Sequence, residues 1–220
     1  MKAVRAFGDS FIYGSDLKDC PSDSLINPSQ LTWPALMAKE LGLEYKCYAR
    51  PGVGNSWIAQ QVLTYAKPDC LNIINWTWID RWDYYNIINK QWQTARPTGT
   101  EDDNNANLWY KHFQSELMDK WQDLNTVYST ISYLKQHNIP YVFHIMDELL
   151  LDVTHHAPVY ITKLQDDIRE ELQRFPYYTT FLTWSQMNDF DISDNLHPLE
   201  QAHEAAAKLW LKEYDLINEK

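Results

Sequence analysis

Phe7-Gly8-Asp9-Ser10-Phe11-Ile12-Tyr13-Gly14 follows directly on an apolar run, Ala3 to Phe7, at the start of the 220-residue chain. The run reads as a first β-strand and the Gly-Asp-Ser tripeptide as the turn that ends it, so the Ser10 hydroxyl is expected at the carboxyl end of a strand. Open α/β sheets place their ligands there. Gly-Asp-Ser is also an ordinary turn tripeptide, built from residues that tolerate tight geometry or hydrogen-bond locally. A second stretch near the far end, Asp194-Asn195-Leu196-His197-Pro198, decides between the two readings because it offers a base for a serine nucleophile.

Outward from these ends, the chain alternates short β-branched or aromatic runs with helical patterns, the mark of a parallel sheet with crossover helices. Strands are expected at about Lys2–Phe7, Glu44–Ala49, Cys70–Trp76, Ile139–Met146 and Thr179–Trp184. Helices are expected around Trp33–Leu41, after Ser56, from about Trp109 to His137, from Pro158 to about Phe175, and after Pro198. The last start suits a proline, whose missing N–H is not needed in a first turn. Residues 78–108 break the pattern, aromatic at first and polar later, and form an excursion from the core. The expected architecture is one α/β domain over residues 1–220, a flavodoxin-like three-layer αβα sandwich with about five parallel strands.

Composition narrows the function classes. With 10 Trp, 14 Tyr and 7 Phe a packed core is expected, unlike a disordered chain. The formal net charge of −11 opposes phosphate backbones and anionic lipid, so nucleic acid is not an expected partner. Cys20, Cys47 and Cys70 form no C-x-x-C pair and read as reduced thiols, the latter two within strands. No apolar run approaches the ~20 residues of a membrane span, and the first residues lack the pattern of a signal peptide. A cytoplasmic protein is expected.

Serine is a poor nucleophile until a base takes its proton, and histidine does this best when an acid fixes its tautomer. Ser10, His197 and Asp194 supply those residue types, and one loop can present both Asp194 and His197. At these residues the chain resembles the SGNH, or GDSL, hydrolases, a family of serine esterases and lipases. The first block matches as Phe7-Gly8-Asp9-Ser10, with Phe11 where the family name has leucine. The last matches as Asp194-x-x-His197-Pro198, followed by Ala202-His203 where the family often has Gly-His.

The resemblance implies an oxyanion hole built from the serine N–H, a glycine after the second strand and an asparagine after the third. Gly52 is assigned to the glycine block, with Gly54 the alternative register. The third block departs: where Gly-x-Asn-Asp is expected the chain reads Ile74-Asn75-Trp76-Thr77-Trp78-Ile79-Asp80-Arg81. Thr77 could donate its hydroxyl, Asn75 could donate an amide in a shifted register, or the third donor is absent.

The family resemblance implies a cofactor-free ester hydrolase, with acyl transfer to another alcohol left open. Its substrate is a small-molecule or glycan ester. The aromatic residues Trp76, Trp78, Trp82, Tyr84, Tyr85 and Trp92 favour a short acyl group such as O-acetyl on a carbohydrate, since flat rings suit sugar faces. They suit equally a satellite core under a long loop. Arg81 is a further candidate for an anionic or polar substrate group. The altered third block motivates an alternative, a catalytically weakened domain that binds glycan without turnover. His155 and His156 sit near Asp152 without further ligands at a recognised spacing, so no metal is expected. His144 and His203 read as satisfied structural histidines, and the oligomeric state is not legible.

Overall fold

The computed structural model describes residues 1–21, 26–97, 104–153 and 158–218. His155 and His156 lie outside the described residues. At the centre is a four-stranded parallel sheet in the order β2-β1-β3-β6, from β1 (Ala3–Phe7), β2 (Glu44–Cys47), β3 (Leu71–Trp76) and β6 (Tyr141–Ile145). β1 is flanked on both sides, with Ala6 opposite Cys47 and Phe7 opposite Ile74. All five of its residues are buried, as expected for a central strand of a sheet covered on both faces.

Alternation along the strands divides two cores. Phe7, Ile74, Trp76 and Phe143 face α3 (Asn55–Tyr65), α5 (Glu116–Gln136) and α6 (Val159–Arg169). Val4, Ala6 and Ile73 face α2 (Trp33–Glu40), α7 (Phe181–Met187) and α8 (Glu200–Asn218). The three-layer sandwich is thus present, with four strands in its sheet.

The fifth expected strand, at Thr179–Trp184, is a helix. The Thr180 hydroxyl accepts the Thr183 N–H at 3.2 Å and caps α7, while Phe181 and Trp184, three apart, turn the same way into the aromatic core. Over six residues an aromatic-rich strand and a short amphipathic helix share one composition, and tertiary packing selects the helix. The expected long helix also divides. Ser115 accepts the Met118 N–H at 3.2 Å and starts α5, leaving a separate α4 (Asn104–His112) before it. Inside the excursion stands an antiparallel hairpin of β4 (Trp82–Asn86) and β5 (Gln91–Ala95). Its turn is held by Asn86 Oδ1, which accepts the Ile88 N–H at 2.9 Å. Cys47 ends β2, Cys70 directly precedes β3, and all three cysteines are free thiols.

Candidate active site

A short helix, α1 (Ser10–Tyr13), starts where β1 ends. The turn demands its glycine: a Cβ on Gly8 would lie 2.7 Å from Ile12 Cγ1 and 3.1 Å from the Asn75 carbonyl oxygen. Asp9 caps the helix, its Oδ1 accepting the Phe11 N–H at 3.1 Å. Ser10 is the first helical residue, so its N–H has no intrahelical acceptor. At the other end Gly14, at φ +85°, adopts the left-handed conformation that closes a helix.

His197 arrives from a compact loop. The Ser193 N–H donates to the His197 carbonyl at 2.9 Å, and the Leu196 N–H returns to the Ser193 carbonyl at 2.9 Å. The imidazole packs edge-on against Phe11, ring centroids 5.5 Å apart, and its Nε2 lies 3.0 Å from Ser10 Oγ. A nucleophile and a base within hydrogen-bond reach are what acyl transfer by serine requires.

The carboxylate behind the histidine is not the expected one. Asp194 is exposed, and His197 Nδ1 meets Asp16 Oδ2 at 2.7 Å instead. The same Asp16 oxygen accepts from Ser193 Oγ at 2.6 Å and Asn195 Nδ2 at 3.1 Å. The His197 loop therefore turns the Ser193 and Asn195 side chains, rather than that of Asp194, toward the ring, and closes on an acid delivered by the segment after α1. Asp16 holds that position at φ +71°, its N–H bound to the Cys20 carbonyl at 3.0 Å. The sequence carries little signal for this role, because Gly14-Ser15-Asp16 reads as one more polar turn.

The Pro51–Gly54 turn follows Arg50, whose N–H donates to the Gly8 carbonyl at 3.2 Å. Gly52 has φ +75°, which favours glycine. The Gly54 N–H donates to Asp83 Oδ1 at 2.9 Å, so it is occupied in the structure. Thr77, weighed as the third donor, is committed as well. Its hydroxyl donates to Asp9 Oδ2 at 2.7 Å and its N–H to Asn55 Oδ1 at 2.8 Å, so neither hydrogen is left for an oxyanion. Asn75 sits within β3 opposite His144 of β6, and its side chain shares the Ile73 face of the sheet.

Behind the nucleophile turn runs a buried polar network in which Arg81, expected to meet a substrate group, and Thr77, weighed as an oxyanion donor, instead bind Asp9. Arg81 Nη1 donates to Asp9 Oδ2 at 3.0 Å, Thr77 Oγ1 at 2.7 Å and the Val53 carbonyl at 3.0 Å. Asn55 grips both ends of Thr77, its Nδ2 donating to the Thr77 carbonyl at 3.2 Å, and reaches Asp123 Oδ2 at 2.8 Å. Burial raises the Asp123 carboxyl well above the usual range. Asp83 is likewise raised by burial, against hydrogen bonds from Thr94, Trp57 and Gly54. Among the described residues no three His, Cys, Asp or Glu side chains gather as a metal-holding group.

His203, in α8, accepts the Trp33 N–H on its Nδ1 at 3.0 Å. It caps α2, whose own N-cap residue Thr32 makes no side-chain cap bond. His144 is buried among Trp33, Phe175 and Trp210, and among the described residues its ring nitrogens make no hydrogen bond of ordinary geometry. Burial lowers each of these two imidazoles to about 3.

The aromatic group divides. Trp76 is fully buried in the core. Trp82 stacks on Tyr84 and on Trp109, the latter at 4.2 Å and 7°, and Tyr85 and Trp92 are exposed at the hairpin. Trp78 lines a cavity of about 520 Å³ with Met146, Asp147, Arg174, Thr180 and Leu182. That cavity opens past the carboxyl ends of β3 and β6. Phe181, between two of its lining residues, touches Phe11, which in turn touches His197.

A buried serine thus stands at the end of a parallel strand of an α/β sandwich, with a histidine and a carboxylate in line behind it. No protein-family model matches the sequence, and no curated protein matches it. Solved structures do. A carbohydrate esterase family 2 enzyme with a carbohydrate-binding domain from Corynascus thermopiles (Myceliophthora fergusii) matches at TM-score 0.53 and 13% identity, over 96% of this chain and 65% of that one. Phospholipase A1 from Streptomyces albidoflavus NA297 matches at TM-score 0.50 and 11% identity, over 97% and 98%. A carbohydrate esterase described as having divergent catalytic and non-catalytic binding functions matches at 0.50 and 12%, over 97% and 68%. The chain spans about two thirds of the length of these carbohydrate esterases. Its fold is that of the SGNH/GDSL hydrolases.

Proposed function

We propose that this chain is a serine esterase working through Ser10, His197 and Asp16. The observation that carries the reading is the continuous contact of Ser10 Oγ with His197 Nε2 at 3.0 Å and of His197 Nδ1 with Asp16 Oδ2 at 2.7 Å. His197 takes the serine proton as Oγ bonds to the ester carbonyl carbon, and Asp16 holds the imidazole with its second proton on Nδ1. The Ser10 and Gly52 N–H groups stabilise the oxyanion. Collapse of the tetrahedral species breaks the ester C–O bond, and His197 returns the proton to the leaving alcohol. Water, deprotonated by the same histidine, then releases the acid and restores Ser10. No cofactor enters this cycle.

The substrate reading is a short acyl ester, such as O-acetyl, on a small molecule or glycan. It is supported by the carbohydrate esterases among the similar structures and by the exposed aromatic rings of the β4–β5 hairpin. The test is hydrolysis of 4-nitrophenyl acetate together with labelling by a fluorophosphonate. Wild type should show both, Ser10→Ala and His197→Ala neither. A wild-type protein inert to both would favour the binding-only alternative.

A further inference from the structure

Three of the six arginines in this acidic chain, Arg50, Arg81 and Arg96, converge on the turn that carries Gly52. Arg50 precedes the turn, and its N–H donates to the Gly8 carbonyl at 3.2 Å, which sets it beside the nucleophile turn. Arg96 comes from the far end of the hairpin and lays its guanidinium on Gly52. A Cβ there would lie 2.9 Å from Arg96 Nη1 and 3.3 Å from its Cζ.

Among the described residues, Arg81 alone of the three stands in an ion pair, with Asp9 at 3.0 Å. Arg50 stands over the Trp57 ring, 5.1 Å from its centroid. Among the described residues, neither the Arg50 nor the Arg96 guanidinium has a carboxylate within ion-pair distance. The carboxylate nearest this group in charge effect, Asp83, is occupied by the Gly54 and Trp57 N–H groups and the Thr94 hydroxyl. Both arginines are exposed, so solvation alone would tolerate them.

What argues for a built site is the anchoring of the segment that delivers Arg96. Thr94 Oγ1 donates to Asp83 Oδ1 at 2.5 Å. Ala95 is buried, and its carbonyl accepts the Tyr110 hydroxyl at 3.1 Å. The hairpin thus brings a cation on an anchored segment back to the Gly52 turn, where a planar guanidinium can bind a carboxylate or phosphate with two parallel N–H bonds.

We infer that Arg96 and Arg50 form an anion subsite beside Gly52, so that the ester taken at Ser10 is carried on a molecule bearing a carboxylate or phosphate. The inference rests on the serine esterase reading for its reaction, but not for its binding.

The experiment compares kcat/KM for three acetyl esters: those of methyl glucuronoside, of glucose 6-phosphate and of uncharged methyl glucoside. The readout is the ratio of charged to uncharged substrate. About a tenfold preference for one charged ester is expected in wild type, shrinking in high salt and falling toward one in Arg96→Gln and Arg50→Gln. The two charged arms separate a sugar acid from a sugar phosphate. Equal rates on all three esters would overturn the subsite. So would a uniform loss in Arg96→Gln with the ratio intact, which would make that arginine an oxyanion stabiliser. Calorimetric binding of methyl glucuronoside and of inorganic phosphate to wild type and Arg96→Gln separates the two readings. Arg96-dependent binding by a protein inert to fluorophosphonate sinks the esterase and keeps the subsite. Turnover without preference or binding does the reverse.

Discussion

Asp16 Oδ2 and His197 Nδ1 meet at 2.7 Å although they are 181 residues apart in the chain. The contact joins the segment after the first helix to the loop before the last one, and it is the ground on which Asp16 is proposed as the acid. Asp16→Asn should lower kcat on 4-nitrophenyl acetate by about 10²–10⁴-fold, because an amide cannot hold the charged imidazole. Asp194→Asn should change it by less than about threefold, as ordinary exposed substitutions do. Steady-state kinetics on both variants checks this, and the reverse order of losses would return the role to Asp194.

Buried Asp9 is compensated by Arg81, whose side chain is 13% exposed. Arg81→Met strands a buried carboxylate and should cost about 3–5 kcal/mol in urea unfolding. Adding Asp9→Asn should recover more than half of that loss, since the stranded charge is then gone. Equal stability of the single and double variants would show that the guanidinium acts through packing alone.

His203 titrates near 3 in the fold because burial disfavours its charged form. The unfolded chain binds that proton below about 6.5. Its contribution is therefore complete above 6.5 and lost as pH falls toward 3, by about 1.4 kcal/mol per pH unit. His203→Asn, which removes this linkage, should cost about 2 kcal/mol less at pH 5.0 than at pH 7.5. The difference between wild type and variant cancels the buried aspartates, whose raised values act in the opposite sense. A pH-independent penalty would show that the imidazole is not held neutral.

Gly8 leaves no room for a side chain: its Cβ would stand 2.7 Å from Ile12 Cγ1 and 3.1 Å from the Asn75 carbonyl. Gly8→Ala should lower stability by about 1–3 kcal/mol and depress kcat more than KM, because Ser10 moves with the turn. Thermal unfolding and initial rates measure the two effects, and an unchanged melting temperature would contradict the crowding.

The pair Ser10 and His197 was legible at both ends of the sequence, because a strand exit and a loop before a proline-started helix are local patterns. So were the parallel strands: an apolar run such as Ala3–Phe7, wholly buried, has few other uses. That the Gly54 N–H is taken up by Asp83 is a contact made across 29 residues, which no local pattern shows. Thr179–Trp184 was misread because six residues support either period, and the Phe181 and Trp184 packing chose the helix. Local sequence determined where Ser10 and His197 stand, since turn and strand chemistry act over a few residues. Which carboxylate meets the histidine, and which arginine lies on Gly52, was decided by tertiary structure alone. A side chain's partner depends on where distant segments cross, and Asp16 and Arg96 carry no local mark of the groups they meet.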